Sequence, residues 1–219
     1  MTESENYVLD CIKRWVWSGF YSPAQVDSMI DDVLEHDCDA EMLRNCIALE
    51  IELKLSAEVG WPATTDCDRL DRAFHELHEQ GICALGNAGY TMSDGYSEVS
   101  EATANAPSGH YKSYCFYHGQ DVERALEGGG IMLAFGALND DPVESVAVGK
   151  MVCERLRREG FEVEWNGSLE TRINLPKFLW QKRTSAEPFL QADPPSAVRL
   201  SQTSGRYKYV IHENRDLSH

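Results

Sequence analysis

The feature that most constrains the fold is a continuous apolar segment at residues 131–138, with the sequence Ile-Met-Leu-Ala-Phe-Gly-Ala-Leu. Three glycines, Gly128–Gly130, come directly before it. An apolar segment of this length next to turn residues is typical of a β-strand whose two faces are both buried. A strand of this kind must be covered by other elements, which favours a layered fold of helices and sheet.

Helical and strand patterns alternate on either side of this segment. A helix capped by Thr64-Thr65-Asp66 ends at Gly81, and a helix that starts at Asp141-Pro142 ends near Gly160. Short apolar or aromatic strands are predicted at 82–85 and 114–117, and a short helix at 121–126. This order predicts an α/β or α+β fold, with a helical N-terminal segment packed on a mixed sheet with βα units. The helical connections allow parallel strands, and a ferredoxin-like split arrangement uses the same elements.

Residues 1–62 are predicted to form three helices, because their apolar residues recur at helical spacing. Ser22-Pro23 is a helix start, and Gly60-Trp61-Pro62 ends the third helix. This segment holds 13 acidic and 4 basic residues. We therefore divide the chain into an acidic helical segment (1–62), an α/β body (63–180), and a linker and tail (181–219).

Two hairpins are predicted toward the C-terminus. Residues 161–165 alternate between apolar and polar side chains, and Asn166-Gly167 is a turn signal. A three-residue loop at 166–168 would pair Trp165 with Leu169 and would keep the apolar side chains on one face. A second hairpin is predicted over 197–212, around Ser204-Gly205.

The charge and the cysteines limit the class of protein. The formal net charge is −16, and residues 1–175 alone carry −19. A body this negative repels phosphate, so we expect no nucleic-acid partner and a preference for basic proteins. Residues 1–20 have no apolar segment of a signal peptide, and no stretch is long enough to be a membrane helix. The seven cysteines include no CxxC pair, so we expect free thiols and a cytoplasmic location.

Known nucleotide, hydrolase and metal fingerprints are absent from the sequence. The glycine-rich segment 86–95 follows a strand but lacks GxxxxGK[ST] and GxGxxG. His75 and His78 are three residues apart on a helix, and its apolar stripe predicts that both imidazoles point outward. Two ligands are half of a zinc site, so we expect no metal and no cofactor.

A candidate ligand site follows from the strand order. If the first three strands are parallel, the loops 86–95, 117–121 and 138–141 meet at one edge of the sheet. Asn139 and Asp140 would belong to that edge. The ligand-binding candidates there are polar side chains of mixed type: Asn87, Tyr90, Ser93, Asp94, His118 and Gln120.

The same edge carries the catalytic candidates. His118 would act as a general base, with Asp94 or Asp121 orienting its imidazole. Cys115 lies three residues from His118, but an odd separation in a strand places two side chains on opposite faces. A reactive thiol also needs electropositive surroundings, which this chain does not offer. We therefore interpret Cys115 as buried.

Five segments carry a resemblance to known proteins: WPATTDCDRLDRAF (61–74), GICALGNAGYTMSDGY (81–96), YCFYHGQDVERAL (114–126), LAFGAL (133–138) and VAVGKMVCERLRREGFEVEWNG (146–167). On these, the chain resembles an uncharacterised bacterial family filed as a domain of unknown function. The resemblance implies an α/β body and transfers no functional residue. The stretch from Val146 to Trp165 is also similar to part of the regulator B of ribonuclease E activity, a small acidic protein inhibitor.

The negative charge and the lack of a complete catalytic constellation favour a binding protein over an enzyme. We expect an acidic cytoplasmic protein that binds a basic protein partner, as an inhibitor or immunity protein for a nuclease or toxin would. The alternative is a hydrolase-like enzyme of unfamiliar type that uses His118 at the strand ends. The sequence leaves the oligomeric state open.

Overall fold

A computed structural model describes residues 1–184 and the two strands at 198–203 and 206–211. The chain divides into two compact units. Unit 1 comprises Met1–Asp68 and the segment that begins at Leu179, and unit 2 comprises Arg69–Phe178 and the C-terminal strands. Within the described ranges, no helix has the length and apolar character needed to cross a bilayer.

Unit 1 contains three helices, as the sequence predicts: α1 (Glu3–Ser18), α2 (Pro23–Ile30) and α3 (Ala40–Glu58). Thr2 caps α1, because its hydroxyl accepts a hydrogen bond from the Glu5 N–H while the Glu5 carboxylate accepts one from the Thr2 N–H. α1 ends at Gly19, which adopts a left-handed conformation with φ 77°. Asp39 caps α3 through the Met42 N–H at 2.9 Å.

The core of unit 1 lies between these helices. It is built from aliphatic side chains at helical spacing: Val8, Ile12, Val16, Val26, Ile30, Leu43 and Ile47. Leu55 of α3 lies outside this core and is 47% exposed. The reason is that the buried face of α3 passes through Leu43, Ile47 and Lys54, and position 55 is one helical step of 100° beyond it.

Unit 2 is built around a sheet. Its described helices and strands alternate: α4 (Asp66–Glu79), β1 (Ile82–Leu85), α5 (Met92–Asn105), β2 (Ser113–Phe116), α6 (Gly119–Leu126), β3 (Ile131–Ala137), α7 (Pro142–Arg158) and β4 (Ile173–Leu175). The strand predicted at 161–165 is reduced to an isolated bridge at Glu164. The α/β or α+β class, with N-terminal helices and a mixed sheet, is therefore confirmed.

The strand order of the sheet is β1-β2-β3-β4. β1 and β2 are parallel, but β3 runs antiparallel to β2, so the condition for a site of three loops, that the first three strands are parallel, fails at β3. A helix between two strands permits either direction, and apolar periodicity does not distinguish them. Here Gly128 and Gly130, with φ 80° and 70°, turn the chain after α6 so that it re-enters the sheet at the edge where β2 ends.

Both faces of β3 are covered, as its apolar sequence predicts. Phe135 lies opposite Cys115 of β2, and Ala134 lies opposite Phe116. Ala134 and Phe116 share an apolar cluster with Val99 of α5, while α7 packs on β3 and β2. The sheet is therefore the middle layer of unit 2.

The hairpin predicted at 161–175 has a different register. Glu164 lies opposite Asn174, so the pairing of Trp165 with Leu169 and the three-residue loop are wrong. The side chain of Asn166 accepts hydrogen bonds from the Ser168 N–H and the Thr171 hydroxyl, which holds a longer turn. The shift is an even number of residues, so the predicted apolar face is kept, with Ile173 buried.

The C-terminal hairpin is confirmed in the described strands. β5 (Val198–Thr203) pairs antiparallel with β6 (Arg206–Ile211), and Val198 lies opposite Ile211. The turn residues Ser204 and Gly205 and the linker at 185–197 lie outside the described residues.

Candidate functional site

The candidate site lies at the sheet edge where the parallel strands β1 and β2 both end. The loop after β1 and the loop after β2 are joined by backbone hydrogen bonds. The Ala88 N–H donates to the Tyr117 carbonyl at 2.8 Å, and the Gly119 N–H donates to the Gly89 carbonyl at 2.9 Å. Two of the three predicted loops therefore meet.

The third predicted loop does not belong to this edge. The Leu138 N–H donates to the Lys112 carbonyl at 2.9 Å, which places the end of β3 beside the start of β2. Asn139 and Asp140 consequently lie at the opposite edge of the sheet, and the site composed of three loops is wrong. The cause is the antiparallel direction of β3.

The β1–α5 junction is held by Asp94. Its carboxylate accepts hydrogen bonds from the Tyr90 N–H at 3.2 Å, the Thr91 N–H at 2.9 Å and the Thr91 hydroxyl at 3.0 Å. Thr91 in turn accepts from the Asp94 N–H, which completes a capping box at the start of α5. These hydrogen bonds give Asp94 a structural role in capping α5.

The two junctions approach each other closely at Gly119. A Cβ atom there would lie 2.8 Å from the Tyr90 ring, so a larger residue would push the loops apart. The Tyr90 hydroxyl donates to the Glu123 carboxylate of α6 at 3.0 Å. Asn87 is buried with φ 54°, a left-handed conformation that asparagine tolerates better than most residues.

The β2–α6 junction holds a buried group of charges. His118 is the N-cap of α6, and its backbone N–H donates to the Asp121 carboxylate at 3.1 Å. The His118 Nδ1 lies 3.3 Å from the same oxygen but makes no hydrogen bond in the described structure. Arg172 forms a short ion pair with that carboxylate, and its Nη2 also donates to the Met132 carbonyl at 2.8 Å.

Burial decides the protonation of His118. The side chain is only 4% exposed, and desolvation lowers its pKa, an effect that the nearby Asp121 carboxylate opposes and the Arg172 guanidinium reinforces. The ordinary pKa of histidine is about 6.5, so the imidazole is neutral at neutral pH. Neutral His118 has the protonation of a general base, but its burial leaves little access for a substrate.

Cys115 is fully buried, as predicted, and desolvation raises the pKa of its thiol well above the ordinary range. Cys115 pairs opposite Phe135 in the sheet. The thiolate is the nucleophilic form, so this environment keeps the sulfur unreactive.

His75 and His78 have different environments. The His75 side chain is exposed, as predicted, and its Nε2 lies 3.5 Å from the Glu79 carboxylate. The prediction is wrong for His78, whose Nε2 lies 2.7 Å from the Ala84 carbonyl and whose Nδ1 lies 3.0 Å from the Tyr111 hydroxyl. Burial lowers the pKa of His78 to about 4. In the part of the chain that the structure describes, no group of side chains has the arrangement of a metal site.

Several of the candidate residues therefore have structural roles. Asp94 and Asp121 cap helices, and Asn87 shapes a buried loop. Tyr90, Ser93 and Gln120 are exposed at the edge. Ligand binding by these side chains stays a prediction.

Arg172, which pairs with Asp121 in the candidate site, was not predicted from the sequence. It lies 51 residues beyond Asp121 in the chain, in the turn before β4. The unpredicted register of that turn brings its guanidinium to the strand ends, and no local motif marks it.

Unit 1 has a different kind of surface. Among its helices, Arg44 pairs with Asp27 at 2.6 Å and with Asp31 at 2.5 Å, and Lys54 is buried against the Val16 carbonyl. Seven exposed acidic residues of unit 1 have no ion-pair partner among the described residues: Glu3, Asp32, Glu35, Asp37, Asp39, Glu41 and Glu52. Two of them accept hydrogen bonds, Glu35 from the Ser4 hydroxyl and Asp39 from the Met42 N–H, but no cationic side chain among the described residues neutralises their charges.

The chain matches one sequence family, described as a domain of unknown function (DUF6891), over residues 1–184. No curated protein and no solved structure matches it. The local similarity of residues 146–165 to the regulator B of ribonuclease E activity thus stays a prediction.

Proposed function

The chain belongs to the DUF6891 family, a domain of unknown function, and we propose that it acts as an acidic binding protein for a basic protein partner. The observation that carries the proposal is the excess of exposed acidic side chains on unit 1. Residues 1–62 hold 13 acidic and 4 basic residues. The seven exposed carboxylates without ion-pair partners among the described residues belong to this segment.

Electrostatics explains why such a surface supports binding. Unpaired carboxylates produce a negative potential that extends about one Debye length, or roughly 8 Å at physiological salt. A field of this sign accelerates encounter with a positive protein and disfavours acidic competitors. The same field disfavours nucleic acid as a partner.

An inhibitor or immunity protein for a basic nuclease or toxin fits these requirements. Such a protein must reach its target quickly and cover a positively charged surface. An acidic helical unit meets both needs without catalytic machinery of its own. On this proposal the protein is located in the cytoplasm, where its target would be neutralised.

The test is capture of a partner from a lysate of the native host with the immobilised full chain. We expect recovery of a basic protein at low salt, with weaker retention at high salt. The purified partner should bind the variant D32N/E35Q/D37N about tenfold more weakly, because three attractive charges are lost.

The matched control is E127Q/D140N/E154Q, which removes the same charge from exposed positions of unit 2. Its affinity should stay close to that of the unmodified protein. Failure to recover any basic protein at either salt concentration would rule the proposal out.

The alternative, a hydrolase-like enzyme, has weaker support. It is favoured by the 3.3 Å distance between His118 Nδ1 and the Asp121 carboxylate. Against it, Asp121 is already bound by Arg172, and His118 is almost completely buried. A screen for ester, amide and phosphoester hydrolysis, with H118A as the control, separates the two functions. Any activity that H118A retains does not use this residue.

A further inference from the structure

Helix α3 is apolar on more sides than unit 1 can bury. Leu43 and Ile47 point into the core of unit 1. On the other sides of the same helix, Leu49 is 55% exposed and Leu53 is 50% exposed. A surface helix normally keeps its apolar residues in a single stripe toward the core, and a helix that is apolar all round is usually covered.

Four of the α3 side chains form a continuous line, the apolar row: Met42, Cys46, Leu49 and Leu53. Their steps of four, three and four residues match the seam of a helix that packs lengthwise against another helix. Met42 packs against the unit 1 core and Cys46 is partly buried, while Leu49 and Leu53 face solvent. At 1.5 Å per residue the row is about 16 Å long.

A second line runs directly beside the first, each member one residue earlier in the chain. This acidic row consists of Glu41, Asn45, Ala48 and Glu52, all exposed. Glu41 and Glu52 are eleven residues apart, or three helical turns, so both carboxylates lie on one side of the helix. Neither has an ion-pair partner among the described residues.

The surface is concave near the N-terminus of α3. A depression of about 460 Å³ is lined by Asp39, Glu41, Met42, Asn45, Cys46 and Leu49. Its lining combines the carboxylates of Asp39 and Glu41 with the side chains of Met42, Cys46 and Leu49. This combination suits a large aliphatic side chain that has a lysine or arginine close to it.

We infer that the apolar row and the acidic row of α3 form a docking surface for a basic amphipathic helix of the partner protein. The inference rests on the proposed function and adds its location and the form of the ligand. Aliphatic side chains of the partner helix, spaced three and four residues apart, would pack on the apolar row. Lysine or arginine side chains along one flank would meet Glu41 and Glu52.

A second copy of this chain is a poorer occupant on charge grounds. It would bring its own Glu41 and Glu52 to the surface, together with a net charge of −16. Like charges that face each other across an interface weaken association. Charge complementarity therefore favours a basic helix.

The experiment uses two synthetic helical peptides of about five turns with the same leucine spacing. One carries lysines and the other glutamates along the flank, and binding to the full chain is measured by fluorescence anisotropy. We expect the basic peptide to bind at least about tenfold more tightly than the acidic one, with a strong salt dependence.

Two variants locate the contact. L49Q/L53Q should weaken basic-peptide binding about tenfold, whereas V143Q, at a residue 79% exposed on α7, should not change it. E41Q/E52Q should weaken binding and reduce its salt dependence, while E127Q/E154Q, with the same change in net charge on unit 2, should do neither. Circular dichroism confirms that each variant folds.

Three results would overturn the inference. They are equal binding of the two peptides, undiminished binding to L49Q/L53Q, and self-association in sedimentation that L49Q/L53Q abolishes. The proposed function fails separately. A basic protein captured from lysate and still bound by L49Q/L53Q would leave that function standing and remove α3 as its surface.

Discussion

The candidate site of unit 2 and helix α3 of unit 1 differ in whether their polar and apolar side chains have partners within the protein. In unit 2, the carboxylates of Asp94 and Asp121 are bound by backbone amides and by Arg172, and His78 is bound at both nitrogens. In unit 1, α3 leaves Leu49, Leu53 and two glutamates in solvent. Residue types that are typical of chemistry have structural roles in unit 2, and unit 1 carries the exposed surface for which we propose a partner.

The largest expected effect compares two leucines of α3. Leu43 is fully buried and Leu49 is 55% exposed. Leu43→Ala should lower the free energy of unfolding by about 3.5 kcal/mol, because it removes buried methyl groups and leaves a cavity. Leu49→Ala should lower it by less than about 0.5 kcal/mol. Urea denaturation followed by circular dichroism measures both, and similar losses would mean that Leu49 is covered in the free protein.

Asp121→Asn should have the next largest effect. It leaves the Arg172 guanidinium partly buried without its anion and weakens the cap of α6, at an expected cost of about 3 kcal/mol. The double variant D121N/R172M removes both charges and should recover part of the loss. A cost below about 1 kcal/mol for Asp121→Asn, with altered activity in a hydrolase screen, would favour the enzyme alternative.

His78 predicts a dependence of stability on pH. Its pKa is about 4 in the folded protein, against an ordinary value of about 6.5. His78 therefore binds a proton more readily in the unfolded chain than in the folded protein. Its contribution to the free energy of unfolding is complete above pH 6.5 and is lost as the pH falls toward 4. Between pH 7 and pH 5 the loss should be about 2 kcal/mol. His78→Gln should remove this part of the slope, and an unchanged slope would contradict the burial of His78.

The smallest effect should come from E41Q/E52Q. Neither glutamate has an ion-pair partner in the described part of the chain, so the free energy of unfolding should change by less than about 0.5 kcal/mol. Thermal and urea unfolding measure the change. A loss above about 1 kcal/mol would mean that these carboxylates stabilise unit 1 and are not kept free for a partner.

The helices follow from local sequence because their signals are local. Ser22 and the Asp141-Pro142 pair cap α2 and α7 where the sequence predicts them, and Thr2 with Glu5 caps α1 through an equally local pair of residues. Glu144 stands at the N3 position of α7 but does not complete a capping box, because its carboxylate accepts from the Asn139 side chain instead of the Asp141 backbone. Each cap depends on a few adjacent residues, which is why it can be predicted from the chain alone.

The site was predicted only in part because it depends on strand direction. The loops after β1 and β2 meet as expected, since these two strands are parallel. The loop after β3 lies at the other edge, and Arg172 arrives from a turn whose register was wrong. Strand pairing joins residues far apart in sequence, and a helical connection is compatible with either direction.

Sequence alone determined the layered class, the helix starts, the buried strand at 131–137 and the acidic character of unit 1, because periodicity, caps and charge are properties of neighbouring residues. Tertiary structure decided the direction of β3, the binding of His78 within unit 2, the His118–Asp121–Arg172 group and the exposed apolar row of α3. These depend on which distant segments cover a side chain, and burial is what changes a pKa, fixes an ion pair or leaves a leucine in solvent.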